Sequence, residues 1–319
     1  MTRFDGRLAP IAISSRSGFD ESVHYGAGLT LDANGAVGAA IGDPELVVYP
    51  RSSLKPMQVH AMVAVGLELQ DELLAIACAS HDGSAVHLDA VRSILDRFDL
   101  VEADLQNTAS RPSGEAARAA ARSAGIGPSS LQQNCSGKHA AMLATCRVNG
   151  WPIDGYLESD HPLQTAITAG FEALGCTVHH IGVDGCGAPT HALSLRDLAA
   201  AFATIATDGG PVGRSMRADP VMIAGPTRDV TRWMQAVPGL IGKEGAAGVM
   251  AAAMPDGRAL AYKIADGDHI ARAAVVPEAL RCIGVDIASA PTDLVSHAVM
   301  GHGREVGRIR ALKWTPCSS

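Results

Sequence analysis

Apolar and polar positions along this chain repeat with two different periods, and the period changes twice. Residues 8 to 31 are apolar and mixed, and they end in the run Tyr25-Gly26-Ala27-Gly28-Leu29-Thr30-Leu31. Asp32-Ala33-Asn34-Gly35 follows, and then the apolar run Ala36 to Gly42. Asn-Gly between two such runs predicts a β-hairpin, because both residues accept the left-handed backbone of a tight turn. Glu45-Leu46-Val47-Val48-Tyr49 predicts a further strand. From Pro56 to about residue 130 the spacing becomes helical, over 57–64, 71–77, 88–100 and 114–124. Helical spacing continues in 140–145, in 161–174 and in 193–206, where Ser194 is the expected cap. Strand character returns in 248–254, a turn at Pro255-Asp256-Gly257-Arg258, and the run Ala259 to Ala265, closed by Asp266-Gly267-Asp268. A helix over 275–283 and a strand over 306–312 complete the pattern.

Strands at both ends and helices in the middle predict an α+β molecule. The terminal segments would form one antiparallel sheet, with the helical middle packed beside it and the site between them. We expect a single catalytic domain over 1–319, its sheet-containing part from 1–56 and about 207–319, its helical part from about 57–206.

Composition narrows the class. With 47% hydrophobic and 18% charged residues, the chain has the make-up of an ordinary globular protein. A net charge of -7 without a basic block argues against nucleic-acid binding. No apolar run reaches membrane-spanning length. The start, Met1-Thr2-Arg3-Phe4-Asp5-Gly6-Arg7, lacks the apolar segment of a signal peptide. Seven cysteines, an odd number without a secretion signal, point to a reducing cytoplasm, where thiols can serve as metal ligands.

The candidate chemistry begins at Arg51-Ser52-Ser53-Leu54-Lys55-Pro56, which holds Ser-x-x-Lys. In a helix that spacing puts Ser52 and Lys55 on one face, and a partly desolvated lysine can take the proton of a serine hydroxyl. The alternative is a capping serine beside a solvated lysine. Lys263 ends a predicted strand, which brings a second amine to the same expected cleft. Ser80, with Ser84 as a lesser candidate, lies on a loop after a helix that either presents a hydroxyl to a cleft or, as the residues alone favour, only caps the helix. Asn134-Cys135-Ser136-Gly137-Lys138-His139 places a thiol, an amide and a lysine at a helix mouth, and Asp184-Gly185-Cys186-Gly187 places a second thiol in a tight turn. The two thiols are either metal ligands with a nitrogen donor or buried free cysteines. Cys78, Cys146, Cys176, Cys282 and Cys317 read as structural, as do His161, His179 and His180.

Together these words resemble the asparaginase II family, the rhizobial-type L-asparaginases. Asp160-His161-Pro162 and Lys263-Ile264-Ala265-Asp266-Gly267 add to the match, which keeps its order over most of the chain. The resemblance implies a fold like that of serine β-lactamases, DD-peptidases and serine-dependent glutaminases. It implies hydrolysis of L-asparagine to L-aspartate and ammonia, by the pairs Ser52 with Lys55 and Ser80 with Lys263. It implies zinc held by Cys135, Lys138 and Cys186, and substrate contacts from Arg51, Asn134 and Asp184. It also implies a homodimer. Two departures stand out. Gly245-Ala246-Ala247-Gly248 stands where the family usually reads Gly-Ala-Glu-Gly, and Asp82-Gly83-Ser84 stands where it usually has Gly then Glu. Competing readings are a penicillin-recognising serine hydrolase, a non-catalytic amino-acid-binding protein on the same scaffold, and a cysteine hydrolase using Cys135.

Overall fold

A computed structural model describes residues 4–207 and 209–317. Met1 to Arg3, part of the stretch read as lacking a leader, lie outside the described residues. The N-terminal strands are β1 (Ala9–Arg16), β2 (Phe19–Leu31), β3 (Val37–Ile41) and β4 (Val47–Val48). Helices α1 (Lys55–Ala64), α2 (Asp71–Ala77), α3 (Ala85–Arg97), α4 (Glu115–Ser123), α5 (Ser136–Asn149) and α6 (Pro162–Ala173) follow. Next come β5 (His180–Val183), β6 (Pro189–Ser194), α7 (Leu195–Thr207), α8 (Pro211–Ala218), α9 (Pro220–Ala224) and α10 (Asp229–Ala236). The chain closes with β7 (Ile241–Gly245), β8 (Val249–Ala253), β9 (Ala259–Ile264), α11 (His269–Cys282), α12 (Thr292–Val295), β10 (His297–Gly301), β11 (Arg304–Ala311) and β12 (Thr315–Pro316).

The chain divides into two compact units. One, the sheet unit, comprises Met1–Ser53, Ala192–Thr207 and Arg232–Ser319. Its antiparallel sheet of nine strands has the order β10-β11-β1-β2-β9-β8-β7, with β3 paired to β2 and β12 to β3. The two ends of the chain meet in β1 and β11, where Ala12 faces Ala311. The Asn-Gly turn joins β2 and β3 as expected, and Asp32 Oδ1 accepts from the Asn34 and Ala36 N–H groups at 2.8 and 2.9 Å. Every residue of β8 and β9 is buried, because α7 and α11 pack on the sheet. In α7, Leu195, Leu198, Ala199, Phe202, Ile205 and Ala206 make the buried stripe, and Ser194 Oγ caps the Asp197 N–H at 3.0 Å.

The other, the helical unit, comprises Leu54–His191 and Asp208–Thr231. Its centre is α5, buried continuously from Ser136 to Cys146 and touched by α1, α2, α3 and α6. Gly137 allows the closest approach: a Cβ there would lie 2.2 Å from the Ile76 carbonyl oxygen at the end of α2.

The observed elements differ from the expected ones at several points. Helices α8 and α9 lie in the helical unit, and α7 in the sheet unit, so the division is set by contacts and not by one cut near residue 207. Helix α11 begins at His269 and not at Val275, since Asp268 Oδ1 caps the Ile270 N–H at 2.9 Å. Strands β7 and β10 gave no clear apolar signal, because they are short and glycine-containing. Among the described residues no helix is long and apolar enough to cross a membrane, and all seven cysteines are free thiols.

Candidate active site

In the sheet unit, the Ser52 segment is held by its backbone. Arg51 takes a left-handed conformation, φ 57°, which is costly for a non-glycine residue. The Arg51–Leu54 turn that follows is a 3₁₀ helix, and the α-helix starts only at Lys55. The Ser53 N–H donates to the Pro50 carbonyl at 3.2 Å, and Ser53 Oγ donates to the Lys243 carbonyl of β7 at 3.0 Å. Gly245 makes this docking possible, because a Cβ there would lie 2.1 Å from the Pro50 oxygen. Ser52 itself is half-buried. Lys263, 7% exposed, faces Ala27 of β2 and Val249 of β8, and its amine donates to the Ala247 carbonyl. Burial lowers the Lys263 pKa, and the Asp266 carboxylate works against that shift.

In the helical unit, Lys55 is 1% exposed, so it is not the solvated lysine of the alternative reading. Its amine donates to the Ala79 carbonyl and to Ser80 Oγ, the latter at 3.1 Å. The structure thus joins Lys55 to Ser80. The Ser-x-x-Lys spacing pairs Lys55 with Ser52, and the family resemblance pairs Ser80 with Lys263. Ser52 and Lys263 belong to the sheet unit, Lys55 and Ser80 to the helical one.

The Ser80 loop is anchored on both sides. The Ser80 N–H donates to the Ile223 carbonyl at 2.9 Å, and the His81 N–H donates to the Asn134 carbonyl at 3.1 Å. His81 Nε2 meets Ser136 Oγ at 2.9 Å. Asp82 Oδ1 lies 2.7 Å from His87 Nδ1 and also accepts from the Ser84 N–H at 2.8 Å. Ser84 Oγ contacts the same His87 nitrogen at 2.9 Å, which makes Ser84 part of the anchor. Burial, then the neighbouring His87 and Lys55, hold His81 well below the ordinary histidine range, so it is neutral. These anchors were missed in the sequence. The run Ser80-His81-Asp82 was their one visible trace.

The two turn cysteines come together. A hydrogen bond between the sulfurs splits their acidity: Cys135 drops well below the ordinary thiol range and Cys186 rises above it. Burial opposes the drop at Cys135, while Lys55 and Lys138 assist it. Cys135 is therefore the more acidic of the two, at the mouth of α5, where the helix dipole also favours a thiolate. Lys138 Nζ donates to Cys186 Sγ at 3.3 Å. Burial would lower the Lys138 pKa, but the charges of Cys186, Cys135 and Asp184 outweigh it and raise it. Cys135 Sγ lies 3.2 Å from Asn134 Oδ1, and Asp184 Oδ1 accepts from the Gly185 N–H at 2.8 Å. Beneath this group His139 Nδ1 lies 2.8 Å from the Tyr156 hydroxyl.

As a donor set for a metal, two soft sulfurs and an amine suit zinc by type. Among the described residues no cluster of three or more His, Cys, Asp or Glu side chains is poised for a metal, so the amine would have to be the third donor.

The sequence matches the L-asparaginase II family over residues 12–311. No curated protein matches it. Among solved structures, the chain is similar to a β-lactamase (Mb2281c) from Mycobacterium bovis, with 18% identity, TM-score 0.38, and 76% of this chain and 88% of that one covered. It is also similar to Mglu in its native form, with 18% identity, TM-score 0.34, and 81% of this chain but only 59% of that one covered. The family match spans nearly the whole chain, so this protein belongs to the L-asparaginase II family.

Proposed function

We propose that the protein hydrolyses L-asparagine to L-aspartate and ammonia, with a serine made nucleophilic by a lysine base. Family membership supports an asparaginase-type amidohydrolase acting on a small amide. The observation that carries the lysine-base part of this reading is the buried Lys55 amine on the Ser80 hydroxyl, at 3.1 Å. An amine stripped of water and engaged with a hydroxyl is the equipment of a proton-accepting base.

In this reading Ser52 Oγ attacks the side-chain amide carbon and its proton passes to Lys55. The tetrahedral oxyanion is met by backbone N–H groups, each worth about 3 kcal/mol in the barrier. Collapse expels ammonia, which takes its proton through Ser80, and water then hydrolyses the aspartyl ester to restore the Ser52 hydroxyl. Lys263 supplies a second amine for the proton traffic. Arg51 pairs with the substrate α-carboxylate, Asp184 holds the α-ammonium, and Asn134 lines the same recognition surface. Cys135, Lys138 and Cys186 would hold zinc, with Lys138 neutral. When bound, zinc supplies a fixed positive charge and a Lewis-acid position. We further read the protein as a cytoplasmic homodimer.

The test is ammonia release from asparagine, with glutamine and the chromogenic β-lactam nitrocefin as controls. Release from asparagine alone supports the proposal, and nitrocefin cleavage without ammonia release replaces it with a penicillin-recognising hydrolase. The Lys55 contact favours one second reading, in which Ser80 is the nucleophile. Ser52→Ala should then retain turnover, while Ser80→Ala loses it. Cys135→Ala should mainly weaken substrate binding, and elemental analysis of the purified protein checks the metal.

A further inference from the structure

Lys263 is gripped by two turns of the sheet unit. The β7–β8 turn supplies the Ala247 carbonyl that accepts from its amine. Ala247 holds φ 59°, a left-handed backbone that alanine adopts at a cost, so its direction is imposed by packing. The packing comes from the turn after β9. A Cβ on Gly267 would lie 3.0 Å from Ala247 Cα, and one on Gly248 would lie 3.0 Å from Gly267 Cα. The Ile264 N–H donates to the Gly248 carbonyl at 2.9 Å, and the Ala265 N–H donates to the Tyr25 carbonyl of β2 at 2.8 Å. Inside the second turn stands Asp266. Its Oδ1 accepts from the Asp268 N–H at 2.9 Å, and its Oδ2 lies 3.1 Å from Nδ1 of the buried His24 on β2.

We propose that His24 and Asp266 form a positioning device for Lys263: they fix the turn after β9 against Ala247, whose carbonyl sets where that amine points, and they hold the Asp266 carboxylate within the same turn. The role of Lys263 in turnover rests on the reading above, but the device does not. Other titratable groups stand on the elements packed around Lys263, among them Glu278 of α11, which meets Lys313 at 3.3 Å. Strand β8 carries no ionisable side chain. On β2, Tyr25 is exposed. On α11, Arg272 is paired with Glu244 of β7 at 2.6 Å, and the His269 side chain is 82% exposed. On α7, Arg196 pairs with Glu45 at 2.7 Å, and the Asp197 N–H is capped by Ser194. The direction of the Asp266 effect agrees, since it opposes the lowering that burial imposes on Lys263.

The chain has only five lysines, so ¹³Cε-lysine NMR resolves each one, and Lys263→Arg assigns the signal. Asp266→Asn preserves the turn's hydrogen bonds and removes the charge. It should move the Lys263 titration midpoint down by about one pH unit, a tenfold change in its ionisation constant. His24→Ala keeps the carboxylate but frees it, and should give a smaller downward shift. Added salt should shrink both differences, as Asp266 is half-exposed. Two folded variants with midpoints equal to the unsubstituted protein would overturn the proposal. Should Asp266→Asn not fold, an unmoved midpoint in His24→Ala overturns it alone. A shifted midpoint in a protein that releases no ammonia from asparagine would sink the asparaginase reading and leave this one standing.

Discussion

Lysine is scarce in this chain, and four of its five copies are buried: Lys55, Lys138, Lys243 and Lys263. Buried lysines are rare in folded proteins because an unpaired ammonium is costly to desolvate. Each of these four amines instead meets a named carbonyl, hydroxyl or sulfur. Lys55→Met keeps the length of the side chain and deletes the amine. We expect kcat on asparagine to fall by about 10²–10⁴-fold, the usual range for a lost general base, with a melting temperature within a few degrees of the parent. Unfolding of the variant at room temperature would assign Lys55 a structural task instead. Local words carried most of these positions in the sequence, since Ser52, Lys55, Ser80, Cys135, Lys138 and Cys186 all stand in motifs. The partners were not legible. Lys55 is joined to Ser80 by a loop that Ile223 and Asn134 hold in place, and contacts across such distances leave no spacing to read.

Elements with a strong local signal were readable, such as the Asn-Gly hairpin, α2 and α7, the last with both its periodicity and its Ser194 cap. Strand β7 was not, because Ile241-Gly242-Lys243-Glu244-Gly245 has the wrong composition for a strand and is buried by its neighbours. Its two glycines and buried charges make sense only once the Pro50–Ser53 turn is seen docked on it. Packing at such approaches is testable. Gly137→Ala should destabilise the helical unit by about 1–3 kcal/mol or more, because the new methyl meets the Ile76 backbone and cannot be accommodated by a rotamer change. Gly127→Ala, with nothing within 4 Å, is the control and should leave the melting temperature unchanged. Equal melting temperatures for the two variants would contradict the close contact of α2 with α5.

Across the molecule, buried neutral histidines predict how stability responds to acid. Burial depresses His81 and His139 well below the ordinary value, and His191 to about 4. Below pH about 6.5 the unfolded chain binds protons that the folded chain refuses, so stability present above that pH is lost as pH falls. His191 alone should cost about 3 kcal/mol between pH 6.5 and 4. Urea midpoints across that range should decline steadily, and His191→Gln should flatten the decline. A flat profile in the parent would contradict the burial of these rings. Strands at the chain ends and helices between predicted the α+β class, but the assignment of α7, α8 and α9 to units depended on contacts that no local pattern encodes. The most direct test of the account is covalent trapping: incubation with a diazo-ketone analogue of asparagine, then digestion and mass spectrometry. We predict a single adduct on Ser52, absent from Ser52→Ala and strongly slowed in Lys55→Met. An adduct on Cys135, in a protein that still releases ammonia from asparagine, would contradict it.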